Sequence, residues 1–243
     1  MHIRPEVIPF LAAVPGLAIL ILLVLRLFRM SWRRAAWATV LVGLVLTAYL
    51  LYFFRDPDRT PPNDPNAVLA GADGLVAGIV QLKSGEFARL CRASGLEEQH
   101  IRDFLGSDVL RISIFLRLTD VHVNRAPIAG RSVFLGYFPG RRLFTFQEKS
   151  SEVNQHNSIL ISNDRTRCLV NQIVGPVCRR VVYWLPADRP AEVRAGDRIG
   201  MMKFGSRLDM YLPAKDVVPC VRRGDRVYAG LTVVGRLKPE ATP

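Results

Sequence analysis

Residues 198–213 read RIGMMKFGSRLDMYLP, with the dipeptide Gly205-Ser206 set between two runs in which apolar residues alternate with polar ones. A period of two is the mark of β-strands with unlike faces. Glycine tolerates backbone conformations closed to other residues, so a glycine and a hydroxyl in the middle of this pattern mark a place where two strands meet or bend. Strand, break and strand point to a mainly β fold and put a nucleophile at the break.

Outward from this segment, short β-like runs recur at 75–82, 109–116, 132–138, 158–162, 168–174 and 181–185, the spacing of a compact β domain. Residues 83–107 interrupt them, and EEQHIRDFL at 97–105 has the spacing of one short amphipathic helix, with His100 as a surface residue on it. VRAGDRIG at 193–200 and VRRGDRVYAG at 221–230 form an internal repeat 28 residues apart, each with Gly-Asp in a tight turn before a strand. Two such turns predict two similar hairpin units, as in barrel-sandwich domains of the lipoyl-carrier type.

The chain has 243 residues, 49% of them hydrophobic, which is too apolar for disorder and leaves room for one catalytic domain and something small. The excess is at the front. Residues 7–28 and 35–54 are each about 20 apolar residues long, enough to cross a hydrocarbon core of about 30 Å, with only RMSWRR between them. No small-residue cleavage site precedes the second segment, which argues for a two-helix membrane hairpin over residues 1–54 rather than a signal peptide. Pro9, Pro15 and Gly16 are equally compatible with a re-entrant or interfacial helix anchored by Trp32, Trp37, Tyr49 and Tyr52, so attachment is a safer expectation than spanning. Arg26, Arg29, Arg33 and Arg34 near the loop outnumber Arg4, Arg55 and Arg59 at the outer ends, a count that favours a cytoplasmic loop.

Four prolines among the aspartates and asparagines of 55–66 end the second helix and make an extended lead-in, so the catalytic domain is expected over 55–243. The net charge of +12 suits a surface that approaches anionic phospholipid membrane, each basic residue contributing about 1 kcal/mol there. The sequence argues against nucleic acid as a partner, because the arginines are scattered through strand-like segments and no recognised binding motif is present. Cys91, Cys168, Cys178 and Cys220 form no CxxC pair and have no metal-like spacing, so they read as buried or free thiols in a reducing compartment and no metal is expected.

Three motifs appear in the order of a known family. RDPDRTPPNDPNAVLAGADG at 55–74 ends in an Ala-Asp-Gly turn at Asp73, LTDVHVNRAPIAG at 118–130 carries His122, and GMMKFGS with RLDMYLP surrounds Gly205-Ser206. Together they resemble the short-chain phosphatidylserine decarboxylase proenzymes over about residues 55–213. KSSEVNQHN at 149–157 is a looser match, since the family usually has Asn-Glu-Arg-Asn where this chain has Asn154-Gln155-His156-Asn157. The resemblance also implies the barrel-sandwich topology, makes 83–107 an insertion, and puts the catalytic domain on the cytoplasmic face of the cell membrane, which is the orientation adopted here.

What the resemblance implies chemically is self-cleavage between Gly205 and Ser206, with Ser206 becoming a pyruvoyl group and the precursor becoming a large and a small chain. Decarboxylating an α-amino acid needs an electron sink that no ordinary side chain supplies. A pyruvoyl carbonyl at a chain terminus condenses with the substrate amine and serves as that sink. To make it, Ser206 Oγ attacks the Gly205 carbonyl, elimination breaks the chain, and hydrolysis of the dehydroalanine leaves pyruvate on the new N-terminus. The serine must lose a proton and an oxyanion must be stabilised. By resemblance Asp73 orients or activates, and His122 exchanges the proton, its ordinary pKa lying near neutrality. Outside the motif order, Asp73-Gly74 would read as a simple turn and His122 as a hydrogen-bonded structural residue.

Asp120 is expected to cap a turn or hold His122, and Arg125 to pair with a carboxylate or phosphate. Longer-chain bacterial members carry a second histidine where this chain has Arg125, and arginine is no base at neutral pH. Either His122 covers both proton steps or another group helps, for which His156 is a candidate; its other reading is a surface loop residue. The substrate is a serine phospholipid, with phosphatidylserine the default and a serine ether lipid offering the same headgroup; self-association stays open. Two rival readings exist. Met202-Lys203 suggests a biotin- or lipoyl-like carrier modified at Lys203, against which Lys203 lies in a strand pattern rather than an exposed turn. A serine hydrolase needs GxSxG and βαβ alternation, whereas the context here is FGSRL.

Overall fold

The computed structural model describes residues 1–93, 95–97, 101, 104, 107–147, 149–176, 181–204 and 206–239. The chain divides into two compact units, Met1–Asp58 and Arg59–Pro243. In the first, strands β1 (His2–Ile3) and β2 (Arg55–Asp56) pair antiparallel, so the chain enters and leaves at one end of the helix pair α1 (Ile8–Leu27) and α2 (Trp32–Phe53). The turn between the helices closes with Arg29 in the left-handed region (φ 60°) and Met30 N–H donating to the Leu25 carbonyl at 3.1 Å. That is how a helix end satisfies its last carbonyls. Both helices are long and apolar enough to cross a membrane, and large side chains such as Leu20, Leu23, Leu44 and Val45 are exposed along them. The second helix starts before residue 35, so Arg33 and Arg34 fall in its first turn rather than in the loop. The first runs unbroken through Pro15.

The second unit is mainly β. In chain order it comprises β3 (Ala67–Leu69), β4 (Gly74–Leu82), α3 (Ser84–Ala93), β5 (Val109–Leu116), β6 (Val123–Arg125), β7 (Gly130–Phe138) and α4 (Ser150–Val153). It continues with β8 (His156–Ser162), β9 (Arg167–Val174), β10 (Val182–Tyr183), β11 (Ala191–Val193) and β12 (Arg198–Met201). The last elements are β13 (Ser206–Pro213), β14 (Val217–Pro219), β15 (Arg226–Val227) and β16 (Val233–Leu237). An eight-stranded antiparallel sheet has the order β11-β7-β8-β9-β13-β5-β4-β15, beside three-stranded sheets β10-β12-β6 and β14-β16-β3.

Alternation along β5 and β13 divides this sheet into two buried faces. Ile112, Ile114, Leu116, Leu208, Met210 and Leu212 contribute to the main hydrophobic core. Tyr211, one step out of phase, joins Phe87, Leu90 and Cys91 of α3 in a second cluster, with the Phe87 and Tyr211 rings 5.4 Å apart. α3 lies in the 83–107 stretch, upstream of the 97–105 segment whose spacing predicts a helix. Its start is fixed by Glu86, whose carboxylate accepts from the Lys83 backbone N–H at 2.9 Å, half of a capping box. Most of 97–105, including His100, lies outside the described residues.

The two Gly-Asp repeats fold alike. Arg194 N–H and Arg222 N–H each donate to an aspartate carboxylate three residues on, Asp197 and Asp225, both at 2.7 Å. Gly196 and Gly224 adopt φ 86° and 95°. The strands on either side are not hairpins, however. β11 pairs with β7, whereas β12 pairs with β6 and β10, so the first turn carries the chain from one sheet to another.

Gly74, at the start of β4, has φ 151°, and a Cβ there would come within 2.1 Å of the Phe115 carbonyl oxygen. Gly74→Ala should therefore lose about 3 kcal/mol or more, lowering the thermal midpoint by roughly 6–12 °C. An unchanged melting temperature would show that the start of β4 yields easily.

Candidate active site

The site is built where one end of the large sheet meets the crossing from β12 to β13. β12 ends at Met201 in one sheet and β13 begins at Ser206 in another, so 202–204 belong to a connection rather than to continuous strand. Lys203 lies in it, half-buried. Its carbonyl accepts a long hydrogen bond of 3.4 Å from the Ser206 hydroxyl. Phe204 has φ 52°, a conformation that costs a non-glycine residue of order 1–3 kcal/mol and is found at sites under functional constraint. Gly205 lies outside the described residues. Ser206 is fully buried and paired on both sides, with Leu116 of β5 and Val174 of β9.

The register brings the other candidates to this sheet end. Leu75, Phe115 and Arg207 form one row across β4, β5 and β13, so the starts of β4 and β13 lie at the same end, two strand spacings or about 10 Å apart. Asp73 immediately precedes β4 and is buried. Its carboxylate receives both terminal nitrogens of Arg59, at 2.6 and 2.8 Å, and the Ala229 backbone N–H at 2.8 Å. The sequence reading missed Arg59. Nothing in the lead-in segment distinguishes it from the neighbouring arginines, because its pairing depends on tertiary approach.

His122 sits in the loop after β5, completely buried. Its carbonyl accepts from Met202 N–H, which ties it to the crossing, and its Nδ1 lies 2.9 Å from the Asp120 carbonyl. A carbonyl oxygen only accepts, so Nδ1 carries the proton and Nε2 is the proton-accepting atom of the neutral ring. Asp120 thus holds His122 through its backbone. Its carboxylate caps the turn by accepting from Arg117 N–H at 2.8 Å and pairs with Arg226. Arg125 is buried and donates to the Gly196 carbonyl at 2.9 Å, bracing the first Gly-Asp turn.

His156 is not a surface residue. It opens β8, buried, with Nδ1 2.9 Å from the Asn154 carbonyl and its ring stacked on Phe138 at 5.3 Å. Its Nε2 has no hydrogen-bond partner among the described residues. Burial pushes its pKa below the ordinary histidine value, although the Asn154 hydrogen bond and the Asp209 charge pull the other way. Asp209 belongs to a buried network missed by the sequence reading. Arg207 Nε donates to it at 2.8 Å, while another Arg207 nitrogen donates to Ser113 at 2.8 Å. Burial alone would raise the Asp209 carboxyl, but Arg207 and Arg111 hold it below the usual carboxylate range. Cys91 and Cys168 are buried and Cys220 exposed, all as free thiols, and burial pushes the Cys91 thiol up to about 12; Cys178 lies outside the described residues.

At this sheet end a strained crossing precedes a buried serine, an arginine-clamped aspartate precedes β4, and a buried histidine is tied to the crossing through its carbonyl. The family model for phosphatidylserine decarboxylase matches residues 46–235. The chain belongs to the phosphatidylserine decarboxylase family. Among its relatives is the phosphatidylserine decarboxylase proenzyme of Carboxydothermus hydrogenoformans, 37% identical over 203 residues, 83% of this chain and 85% of that protein. The proenzyme of Symbiobacterium thermophilum is 37% identical over 232 residues, 94% of this chain and 93% of the other. That of Erythrobacter litoralis is 38% identical over 211 residues, covering 86% and 79%. Membership in the family makes this chain an enzyme, a decarboxylase rather than a carrier.

Two consequences can be measured. Arg59→Gln would leave the Asp73 carboxylate buried without its counter-ion, a change that costs about 3–5 kcal/mol, and adding Asp73→Asn should restore much of it. Urea unfolding of both variants checks this, and a harmless single substitution contradicts it. For His156 the folded pKa is depressed, so below the ordinary histidine pKa the unfolded chain binds the extra proton first. Its contribution is present above that value and is lost as pH falls towards the folded pKa, by at most about 1.4 kcal/mol per pH unit. His156→Phe should flatten the stability profile below about pH 6.5, and an identical slope contradicts it.

Proposed function

We propose that the chain is a self-processing, pyruvoyl-dependent decarboxylase that converts phosphatidylserine to phosphatidylethanolamine with release of carbon dioxide. The observation that carries this reading is the position of Ser206. It is a buried hydroxyl at the first residue of a strand, directly after a sheet crossing with Phe204 in a strained conformation. The chain on either side is held independently, β12 by β6 and β10, and β13 by β5 and β9. A cut between Gly205 and Ser206 therefore leaves both ends anchored, and chains 1–205 and 206–243 stay together without a covalent link. These residues fit a pyruvoyl group at position 206, since its hydroxyl is bound only at 3.4 Å and is available for attack.

In this reading Ser206 Oγ gives its proton to His122 Nε2 and attacks the Gly205 carbonyl carbon. The amide becomes an ester and frees the Ser206 nitrogen. Loss of the Ser206 α-proton then expels the Gly205 carboxylate, and hydrolysis of the dehydroalanine releases ammonia. The pyruvoyl group so formed supplies a carbonyl that takes up the electron pair left when carbon dioxide departs. His122 afterwards delivers a proton to the product carbon. Asp73, with Arg59 on both its oxygens, acts by fixing the start of β4 and the local field rather than by taking a proton. Asp120 and Arg226 set the His122 loop. Arg125 supports the turn at Gly196, and His156 is a further supporting residue at the same sheet end.

Residues 1–54 serve as the membrane anchor and 55–243 as the catalytic domain, on the cytoplasmic face of the cell membrane; the two long apolar helices and the basic surface support this. The barrel-sandwich description of the β unit rests on the family resemblance alone, since the strands flanking the first Gly-Asp turn belong to different sheets.

Ser206→Ala should run as one uncleaved band on a denaturing gel and show no decarboxylation, having neither nucleophile nor route to the cofactor. Ser206→Cys should cleave slowly through a thioester. In parent enzyme solvent deuterium should enter the ethanolamine carbon next to nitrogen. If His122→Ala matures, turnover should drop by about 10²- to 10⁴-fold. Full processing and parental turnover in that variant would remove His122 from the mechanism.

A further inference from the structure

A line of three buried amide side chains joins the large sheet to the β10-β12-β6 sheet beside the candidate active site. Asn157 of β8 donates from Nδ2 to Gln172 Oε1 of β9 at 3.4 Å, and Gln172 Nε2 donates to Asn124 Oδ1 of β6 at 2.7 Å. None of the three is more than 3% exposed. The line has a direction and ends on a donor, since Asn124 Nδ2 is buried and has no hydrogen-bond partner among the described residues. A glycine opposite Asn124 makes room for the contact: a Cβ on Gly200 would stand 3.0 Å from Gln172 Nε2.

The register places these amides on the sheet face that carries Ser206. Gln172 pairs with Leu208, and Val174 with Ser206, so Gln172 and Ser206 are diagonal neighbours on adjacent strands, about 7–8 Å apart. Val174, Leu208 and the other partner of Ser206, Leu116, belong to the main core, which fixes the face. Asn124 reaches this face from the other sheet, two residues after His122. A Cβ on Gly71 would meet Leu208 at 3.0 Å and the Arg125 carbonyl at 3.5 Å, so the end of β6 lies within one side chain of Leu208.

A buried N–H without an acceptor is a cost that folded chains avoid, and its retention calls for an acceptor that arrives with function. β13 turns Ser206, Leu208, Met210 and Leu212 to this face, and Ser206 alone of these is polar. In the decarboxylase reading its hydroxyl gives way to a carbonyl on maturation, and a carbonyl only accepts.

We propose that Asn124 is the carbonyl-binding donor of the mature enzyme, its Nδ2 hydrogen-bonded to the carbonyl oxygen of the pyruvoyl group at residue 206, with Gln172 and Asn157 as positioning residues. The proposal rests on the pyruvoyl reading. A donor there draws electron density from the carbonyl and favours attack by an amine, and one held in place beforehand does not reorganise as charge develops. Gln172 fixes which end of the Asn124 amide is left for the site, and Asn157 fixes Gln172. The last residue of the loosely matching 149–157 segment thereby acts on the reaction from two strands away.

The test uses full-length, self-cleaved protein and phenylhydrazine, a neutral amine that condenses with a ketone in the absence of phospholipid. The hydrazone is followed by absorbance and located by mass on the 206–243 chain. Asn124→Leu, similar in shape but without the donor, should slow hydrazone formation at least about tenfold and lower kcat alike, with KM nearly unchanged. Gln172→Met keeps the side-chain length, frees the Asn124 amide to turn, and should slow both about threefold or more. Ser158→Ala removes a buried hydrogen bond between the same two strands on the opposite face, to Asn171 at 2.8 Å, and should change neither rate. Parental hydrazone rates in the folded Asn124 and Gln172 variants would overturn the proposal, as would equal slowing in Ser158→Ala. If Asn124→Leu does not fold, Gln172→Met decides. A folded variant that stays uncleaved would also overturn it, since the amides would then act at cleavage rather than on the carbonyl. A parent chain with no hydrazine-reactive group at residue 206 removes the pyruvoyl reading itself, whereas a reactive parent with equally reactive variants removes only the part given to Asn124.

Discussion

β13 is hydrogen-bonded along both edges, to β9 through Ser206–Tyr211 and to β5 through its whole length, and this double ladder is the constraint on which the site depends. It pins Ser206 in place from its own strand onwards. The residues before it are pinned separately, since Met201 is bound to Val182 and Val123 in a different sheet. Few residues remain to join the two, and the cost appears at Phe204 as a left-handed backbone. A short connection held at both ends by separate sheets has little freedom to relax, and that is the kind of pre-organisation an intramolecular acyl shift would require.

The same sheet end carries more charge than a hydrophobic core tolerates without compensation, and each charge has its partner. Asp73 is clamped by Arg59 and a backbone N–H, Asp209 by Arg207, and Asp120 by Arg226 and the Arg117 N–H. Buried pairs of this kind add little net stability, because desolvation offsets much of the attraction, but removal of one partner is costly. Their contribution is positional. Asp73 fixes where β4 begins, Asp120 shapes the loop that presents His122, and the Arg207–Asp209 pair stiffens the strand whose first residue is Ser206. The enzyme assignment by family and the crowding of paired charges at one strand end are mutually consistent, since sites that stabilise changing charge need oriented groups that do not have to reorganise.

Much of this architecture is legible in the amino-acid order. Periodicity of two located the long strands β4, β5, β8 and β9 within a few residues, and the break at Gly205-Ser206 marked the sheet crossing. The apolar runs marked both N-terminal helices. Failures fall where local pattern carries no information about partners. The Gly-Asp repeats encode identical turns, yet whether the flanking strands pair with each other is decided elsewhere in the fold, and they do not. Phe87, Leu90 and Cys91 had helical spacing that was overlooked beside the more polar 97–105 stretch. His156 looked like a loop residue because Gln155 and Asn157 flank it, although both are buried with it. Arg59 and Arg226 could not be singled out among 33 basic residues, since ion pairs between residues 14 and 106 positions apart leave no periodic trace.

Mass spectrometry of the purified, unmodified protein under denaturing conditions is the most direct measurement of the central claim, that the crossing before Ser206 is a cleavage site. Two species are predicted, one of residues 1–205 and one of residues 206–243 whose mass shows a pyruvoyl group in place of serine and which resists Edman degradation. An intact chain of 27.2 kDa in a preparation with full decarboxylase activity would contradict it.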